Sequence, residues 1–276
     1  MLMPDFSLII IVSERREQLR NVLEQLHKSS VKPSEVLVIY MDDLPEILET
    51  GIALRNFRIT GTSGKMPLAA ARNFGAKYAS FEKLFFLDVD CLPEPDFFER
   101  MLEDYSENSI LSGTPYYLPA DFDMDALEEQ AVAHPAKPPI SYRQPVADYN
   151  SFWSLCFLIG KEQFHSLGGF EEAYTGYGAE DTDFAQKLRK AEIPFFRSPA
   201  KVYHQYHPKY EPPLNHLEAI CQNAEIFQQR WGFFPMEIWL KEFQKMGYIT
   251  MKENKISILK FPSSEEIADC LTKKPY

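Results

Sequence analysis

Cysteine is scarce in this sequence: four in 276 residues, at positions 91, 156, 221 and 270, with no Cys-x-x-Cys spacing. Disulfide-stapled scaffolds and zinc knuckles need closely spaced cysteines, so neither is indicated, and the four read as reduced thiols. Positive charge is also short, with 29 Lys and Arg against 40 Asp and Glu and a formal net charge of -11. Such a chain opposes a phosphate backbone and has no general attraction to anionic lipid, which argues against nucleic acid as a partner. The apolar run Phe6 to Val12 is too short to span a bilayer, and acidic Asp5 stands where a signal peptide would need a basic start. The expectation is a cytoplasmic chain with no transmembrane segment. Internal repeats and low-complexity tracts are missing too. What is present, 45% hydrophobic and 25% charged residues, suffices for a sizeable core in one large domain with or without a tail.

Along the chain, Ser7 to Val12 is a continuous aliphatic run of the kind buried on both faces of a parallel sheet. Leu19, Val22, Leu23 and Leu26 follow at helical spacing, and Glu35 to Met41 is a second strand ending in Asp42 and Asp43. Strand, helix, strand is a βαβ unit. The pattern continues with a short strand near Phe57 to Thr60, an Ala-rich helix from Leu68 to Tyr78, and a strand from Lys83 running into Asp88, Val89 and Asp90. Asp96 is placed to cap a helix reaching Tyr105. Residues 120–145 change character, with Asp121, Asp123 and Asp125 ahead of a Pro-rich stretch that reads as a mobile insert over the site. A strand from Phe152 to Ile159, a turn at Gly168 and Gly169 and an amphipathic helix from Glu180 to Ala191 come next. After His204 the periodicity is helical, over Leu217 to Trp231 and again near Met236 to Met246.

Ligands of open α/β sheets bind beyond the carboxyl ends of the strands, so the acidic strand ends draw attention. Asp88 and Asp90 stand at i and i+2 at the end of a strongly apolar strand. Asp-x-Asp spacing also occurs at 121–123, 123–125 and 181–183, so spacing alone decides nothing. A carboxylate pair beside a core is costly without a cation, and that favours a divalent metal at Asp88 and Asp90 over a solvated turn. Either histidine of the Tyr-rich segment that leaves a strand beginning at Lys201, His204 or His207, would add a nitrogen ligand and favour Mn²⁺ over Mg²⁺, with His204 continuing the strand. Glu180 and Asp181 suit an ordinary first helical turn, but Tyr177 between Gly176 and Gly178 looks like a ring presented to a ligand. Arg72 in the Ala-rich helix reads as a surface charge or a diphosphate contact, and Trp153 as core or as a face for a sugar ring.

Taken in order, these pieces resemble a family 2 glycosyltransferase of the A-type fold, with the later half similar to the galactosyltransferase carboxyl-terminal segment. The resemblance runs over about residues 6 to 207. It rests on the opening aliphatic strand, Asp42-Asp43, Ala70-Ala71-Arg72-Asn73-Phe74-Gly75-Ala76, Asp88-Val89-Asp90, Gly168-Gly169-Phe170-Glu171-Glu172, Gly176-Tyr177-Gly178-Ala179-Glu180-Asp181-Thr182-Asp183 and His204. It implies one α/β catalytic domain over 1–207, with a mostly parallel central sheet flanked by helices. The donor half would take about 1–118 and the acceptor half about 146–207, with a helical C-terminal extension over 208–276. It further implies a nucleotide-sugar donor, with Asp42, Asp43, Arg72 and Asp88 on the nucleotide and Asp88, Asp90 and His204 around Mn²⁺ or Mg²⁺. Asp181 would be the catalytic base, and Glu180, Tyr177 and Trp153 would bind the acceptor.

The resulting expectation is a metal-dependent, inverting hexosyl- or N-acetylhexosaminyltransferase, moving sugar from a UDP-sugar to a glycan or glycolipid hydroxyl in polysaccharide biosynthesis. Peripheral contact with the inner face of a membrane fits that role. A nucleotidyltransferase acting on sugar phosphates is the enzymatic alternative, although its Gly-rich phosphate loop has no counterpart at Glu14, Arg15 and Arg16. A noncatalytic sugar-binding homologue is the alternative from another class. For residues 208–276 the expectation is a helical pair packed on the catalytic domain, against an acceptor-side lid, an oligomer contact or a membrane-surface helix.

Overall fold

The computed structural model describes residues 4–42, 51–61, 65–272 and 274. Its first half follows the apolar pattern: β1 (Phe6–Val12), α1 (Arg16–Lys28), β2 (Glu35–Tyr40), β3 (Leu54–Arg58), α2 (Leu68–Tyr78) and β4 (Lys83–Asp88). These four strands lie parallel in the order β3-β2-β1-β4, and every residue of β1 and β2 is buried. β3 begins earlier than its apolar residues suggest, because its register with β2 starts at Val36 opposite Leu54.

The second half contributes β5 (Cys91–Pro93), α3 (Phe97–Asp104), β6 (Ile110–Tyr117), α4 (Leu127–Gln130), β7 (Val132–Ala133), β8 (Gln144–Pro145), β9 (Cys156–Gly160), α5 (Lys161–Ser166), α6 (Glu180–Lys190) and β10 (Phe195–His204). The main path of the sheet continues from β4 through β9, β6 and β10 to β5. β9 runs antiparallel to both β4 and β6, β6 and β10 are parallel, and β5 is antiparallel to β10. The sheet is therefore mixed beyond β4. A strand buried on both faces shows the same unbroken apolar run in either direction, so its sequence does not reveal this reversal. β9 also starts later than Phe152: a 3-10 turn at Tyr149–Ser151 precedes it, and Trp153 lies before the strand.

Alternate residues of β1 face opposite layers. Phe6, Leu8 and Ile10 pack with α1 and α3, around Phe85, Phe97 and Phe98. Ile9 and Ile11 pack on the other side, where α2, α5 and α6 bring in Phe164, Phe170 and Phe184. Phe86 stacks on Phe157 at 4.5 Å and Phe170 on Phe184 at 4.4 Å. Gly75 lets α2 settle directly onto β1, since a Cβ there would collide with Ile9. One turn before it, Arg72 is thereby brought to the strand ends.

The segment after β10 holds β11 (Lys209–Tyr210), α7 (Leu217–Trp231), α8 (Glu237–Lys245), β12 (Ile249–Lys252), β13 (Lys255–Ile258), α9 (Ser264–Asp269) and β14 (Leu271–Thr272). Both expected helices form, and a β12-β13 hairpin and a β11-β14 pair add strands to what the periodicity suggested was helical. The hairpin turns at Glu253 and Asn254, which carry no glycine to announce it. No described helix is long and apolar enough to cross a membrane.

One fastening of the extension to the preceding part of the chain is a buried carboxylate. Asp183 in α6 is fully buried, and its Oδ1 accepts from Arg230 Nε at 2.9 Å, Trp231 Nε1 at 2.7 Å and the Tyr174 hydroxyl at 3.1 Å. Removing one partner of a buried charge network strands the others. Asp183→Asn should therefore lower stability by about 2–4 kcal/mol in urea denaturation. A change below about 0.5 kcal/mol, the range of ordinary surface substitutions, would sink this account of the joint.

Candidate functional site

At the end of β4 the chain turns through Val89 and Asp90, and the two carboxylates take different partners. Asp90 is buried, whereas the Asp88 side chain is 31% exposed and pairs with Arg72 Nη2 at 3.0 Å. β10 pairs with β5 so that His204 lies opposite Cys91, and Gln205 N donates to Asp90 O at 2.7 Å. Residues far apart in sequence thus meet. His204 Nε2 is 3.4 Å from Asp90 Oδ1 and His207 Nε2 is 3.7 Å from Asp90 Oδ2. Asp90, His204 and His207 can each offer a ligand atom with all three within 4.8 Å of one another. The Arg15 guanidinium also reaches Asp90. Burial, then the charge of Arg15, lowers both histidines to about 4, which keeps the imidazoles neutral. Of the residues expected at a metal, the structure joins Asp90 and His204, adds His207, and places Asp88 on Arg72.

The other wall comes from the turn before α6. Gly176, Gly178 and Ala179 take positive φ values of 77°, 92° and 77°, a left-handed path that glycine follows without strain. It delivers Glu180 and Asp181 beside Arg72, whose Nη1 is 3.6 Å from Glu180 Oε1. Arg72 is only 4% exposed, lies 5.3 Å over the Phe170 ring, and its Nη1 has no hydrogen-bond partner among the described residues. Next to it Asn73 explains the glycine turn. Its amide donates to Phe170 O at 2.9 Å and its Oδ1 accepts from Phe170 N at 2.8 Å, leaving no room for a Cβ on Gly169. Burial and then the charge of Asp181 push Glu180 up to about 7. Burial also raises Asp181, against hydrogen bonds from Thr182 N at 2.7 Å and Thr182 Oγ1 at 3.3 Å.

Asp42 closes the cleft at the end of β2: its carboxylate accepts from Arg16 Nη2 at 3.1 Å and from the Glu14 amide. Asp43 lies outside the described residues. Tyr177 is presented at the turn and is 37% exposed. Trp153 has Lys137 Nζ 4.7 Å over its ring and His134 edge-on at 5.0 Å. His134 in turn meets Tyr117 at 5.5 Å, and Tyr117 stacks on His204 at 4.8 Å, so a chain of rings links Trp153 to Asp90. The Pro-rich insert is held down: Lys137 donates to Ser151 O, Arg197 to Pro138 O at 2.7 Å, and Arg143 covers Phe196 at 3.5 Å. Sequence reasoning missed Arg15 and Lys137. A lone basic residue carries no motif, and only the fold reveals that both are directed inward.

Glycosyl transferase family 2 matches residues 7–153, and the N-terminal domain of galactosyltransferase matches residues 139–209. Validoxylamine A glucosyltransferase of Streptomyces hygroscopicus subsp. jinggangensis is 26% identical over 152 residues, 46% of this chain and 36% of the relative. Chondroitin sulfate N-acetylgalactosaminyltransferase 1 of Mus musculus is 22% identical over 223 residues, 74% of this chain and 41% of the relative. The chain thus spans well under half the length of these relatives. Among solved structures, GalNAc-T7 with UDP, GalNAc and Mn²⁺ superposes with a TM-score of 0.60 at 14% identity, covering 88% of this chain and 54% of that one. S. aureus TarS 1-349 superposes at 0.55 and 15% identity, covering 81% and 65%. Both share the mixed sheet flanked by helices, the A-type glycosyltransferase fold. With more than half of its residues matched by the family, the chain belongs to glycosyl transferase family 2.

Proposed function

We propose that this chain is a metal-dependent, inverting glycosyltransferase that moves a hexosyl or N-acetylhexosaminyl group from a UDP-sugar to a hydroxyl of a glycan or glycoconjugate. The observation that carries the reading is the cluster of Asp90, His204 and His207, set beside Arg72, Asp88 and the Glu180-Asp181 pair. One carboxylate and two neutral imidazoles fit Mn²⁺ better than Mg²⁺. His207 Nδ1 lies 3.1 Å from Pro208 O, a contact that turns its Nε2 lone pair toward Asp90. The GalNAc-T7 structure of the same fold holds UDP and Mn²⁺, which supports the same pair here.

A cation bound there supplies positive charge to the departing diphosphate. Arg72, whose Nη1 has no hydrogen-bond partner among the described residues, would bind a diphosphate oxygen, and Asp42 and Asp88 would orient the nucleoside. Asp181 takes the acceptor proton as the acceptor oxygen bonds to the anomeric carbon and the bond to the diphosphate breaks on the opposite face. Glu180 hydrogen-bonds the acceptor. Two coupled carboxylates in a buried site share their titration.

Three outcomes follow. Asp90→Asn or His207→Ala should weaken Mn²⁺-dependent UDP binding by about tenfold or more in calorimetry, whereas unchanged binding in both would remove the cluster from the reading. Asp181→Asn should reduce transfer by roughly 10² to 10⁴ and leave UDP·Mn²⁺ affinity unchanged; loss of UDP affinity instead would move Asp181 to the donor side. Burial raises Asp181, so its protonation should remove the base, and kcat/KM should fall with falling pH at a pH above the ordinary carboxylate range. In Glu180→Gln, with the coupling gone, that limb should shift to lower pH, and a pH-rate profile identical to wild type would contradict the role of the pair.

A further inference from the structure

The loop that carries Tyr177 is held by the C-terminal extension. Asn223, in the middle of α7, is 2% exposed and points its amide at this loop. Its Nδ2 lies 3.1 Å from Thr175 O, 3.2 Å from Tyr177 O and 2.9 Å from Gly178 O, while its Oδ1 accepts from Thr175 N at 3.3 Å. One side chain therefore satisfies most of the buried polar backbone of the turn. The approach is close on both sides of the tyrosine. A Cβ on Gly178 would stand 2.6 Å from Met236 Sδ, and one on Gly176 would stand 3.0 Å from Ala219 Cβ. The glycines around Tyr177 are thus required by the extension as well as by their positive φ values. Gly176 N also donates to Met66 O at 3.1 Å, which ties the loop to the donor half.

The extension adds rings as well. His216, just before α7, stacks on Tyr177 with centroids 4.5 Å apart and planes 16° apart, and Trp239 of α8 lies 5.7 Å from the same ring. All three keep exposed surface. Tyr177 precedes Glu180 and Asp181 by one short turn, and its hydroxyl is raised to about 12 by burial and then by the charges of those two carboxylates. An aromatic surface ending in carboxylates matches a polyhydroxylated ring, whose C–H face stacks on the rings while its hydroxyls reach the charges.

We propose that the C-terminal extension builds the acceptor subsite: His216 and Trp239 complete, with Tyr177, a platform for a pyranose ring, and Asn223 is the positioning residue that keeps this platform aligned with Asp181. The proposal rests on the transferase reading and extends it to residues outside both matched family regions. The ligand class is a saccharide acceptor, and the extension determines which saccharide fits.

Saturation-transfer difference NMR tests this with methyl β-glucopyranoside, methyl β-galactopyranoside, cellobiose and N-acetylglucosamine, in the presence of UDP and diamagnetic Mg²⁺. Wild type should transfer saturation to ring C–H protons of at least one saccharide. Trp239→Ala and His216→Ala should reduce that signal about tenfold, and Trp239→Phe should retain most of it. Asn223→Ala should reduce it similarly and, in turnover, raise the ratio of donor hydrolysis to transfer. UDP·Mn²⁺ binding by calorimetry should be unchanged in the three ring variants, which also reports that they fold. Undiminished saturation in Trp239→Ala with UDP binding intact, or no saturation of any of the four saccharides by wild type, would overturn the proposal. Absence of UDP·Mn²⁺ binding in wild type would instead remove the donor reading, and Trp239-dependent saccharide binding would then still uphold the platform.

Discussion

Arg72 is the interaction on which the arrangement of the site depends. A guanidinium buried to 4% exposure is tolerable only between carboxylates, and it has one on each side: Asp88 at the end of β4 and Glu180 at the start of α6. One element ends a strand in the parallel half of the sheet and the other follows the turn at residues 176–179. Because Gly75 seats α2 against β1, the guanidinium is fixed relative to the sheet, and through it Glu180 and Asp181 are fixed relative to the strand ends. Asn73, the next residue, pins the Gly169-Phe170 turn from the same helix. A short run of sequence thus sets the width of the cleft.

The net charge of -11 acquires a location in the structure. Asp88, Asp90, Glu180 and Asp181 converge around few cationic side chains, chiefly Arg72 and Arg15. Burial raises the carboxylates of the pair and lowers the histidines, so each group moves toward its neutral form. For the imidazoles this favours the neutral form with its lone pairs, and for the carboxylates it moves proton uptake above the ordinary carboxylate range. The same desolvation thus prepares the two sides of the cleft for different chemistry.

The extension is joined to the catalytic domain by contacts of two kinds. Asp183 is a buried charge satisfied by Arg230 and Trp231, which fastens α6 to the end of α7. Asn223 is a neutral amide satisfied by backbone, which shapes the turn that carries Tyr177. The first serves stability and the second serves the geometry of the turn. Both come from one face of α7, so the helix that packs the extension also holds the turn that carries Tyr177.

The order of elements through β4, the burial of β1, the Ala-rich helix with Arg72 and the helical stretches of the extension were all legible in the sequence. Each follows from a local period, and local periods survive in any tertiary context. Asp90 and His204 were legible as candidates because carboxylates and histidines at strand ends are few. Tertiary structure alone decided the rest. The pairing of Asp88 with Arg72 and of Asp90 with His204 and His207 follows a turn at Val89 that the i, i+2 spacing conceals. The antiparallel insertion of β9 depends on pairing between strands whose apolar runs look alike in either direction. The entry of Arg15 and His207 into the Asp90 cluster, and the attachment of Asn223, His216 and Trp239 to the Tyr177 loop, join residues across long stretches of chain. No local period encodes such contacts, because they are selected by packing and charge burial only once the sheet and its helices have assembled.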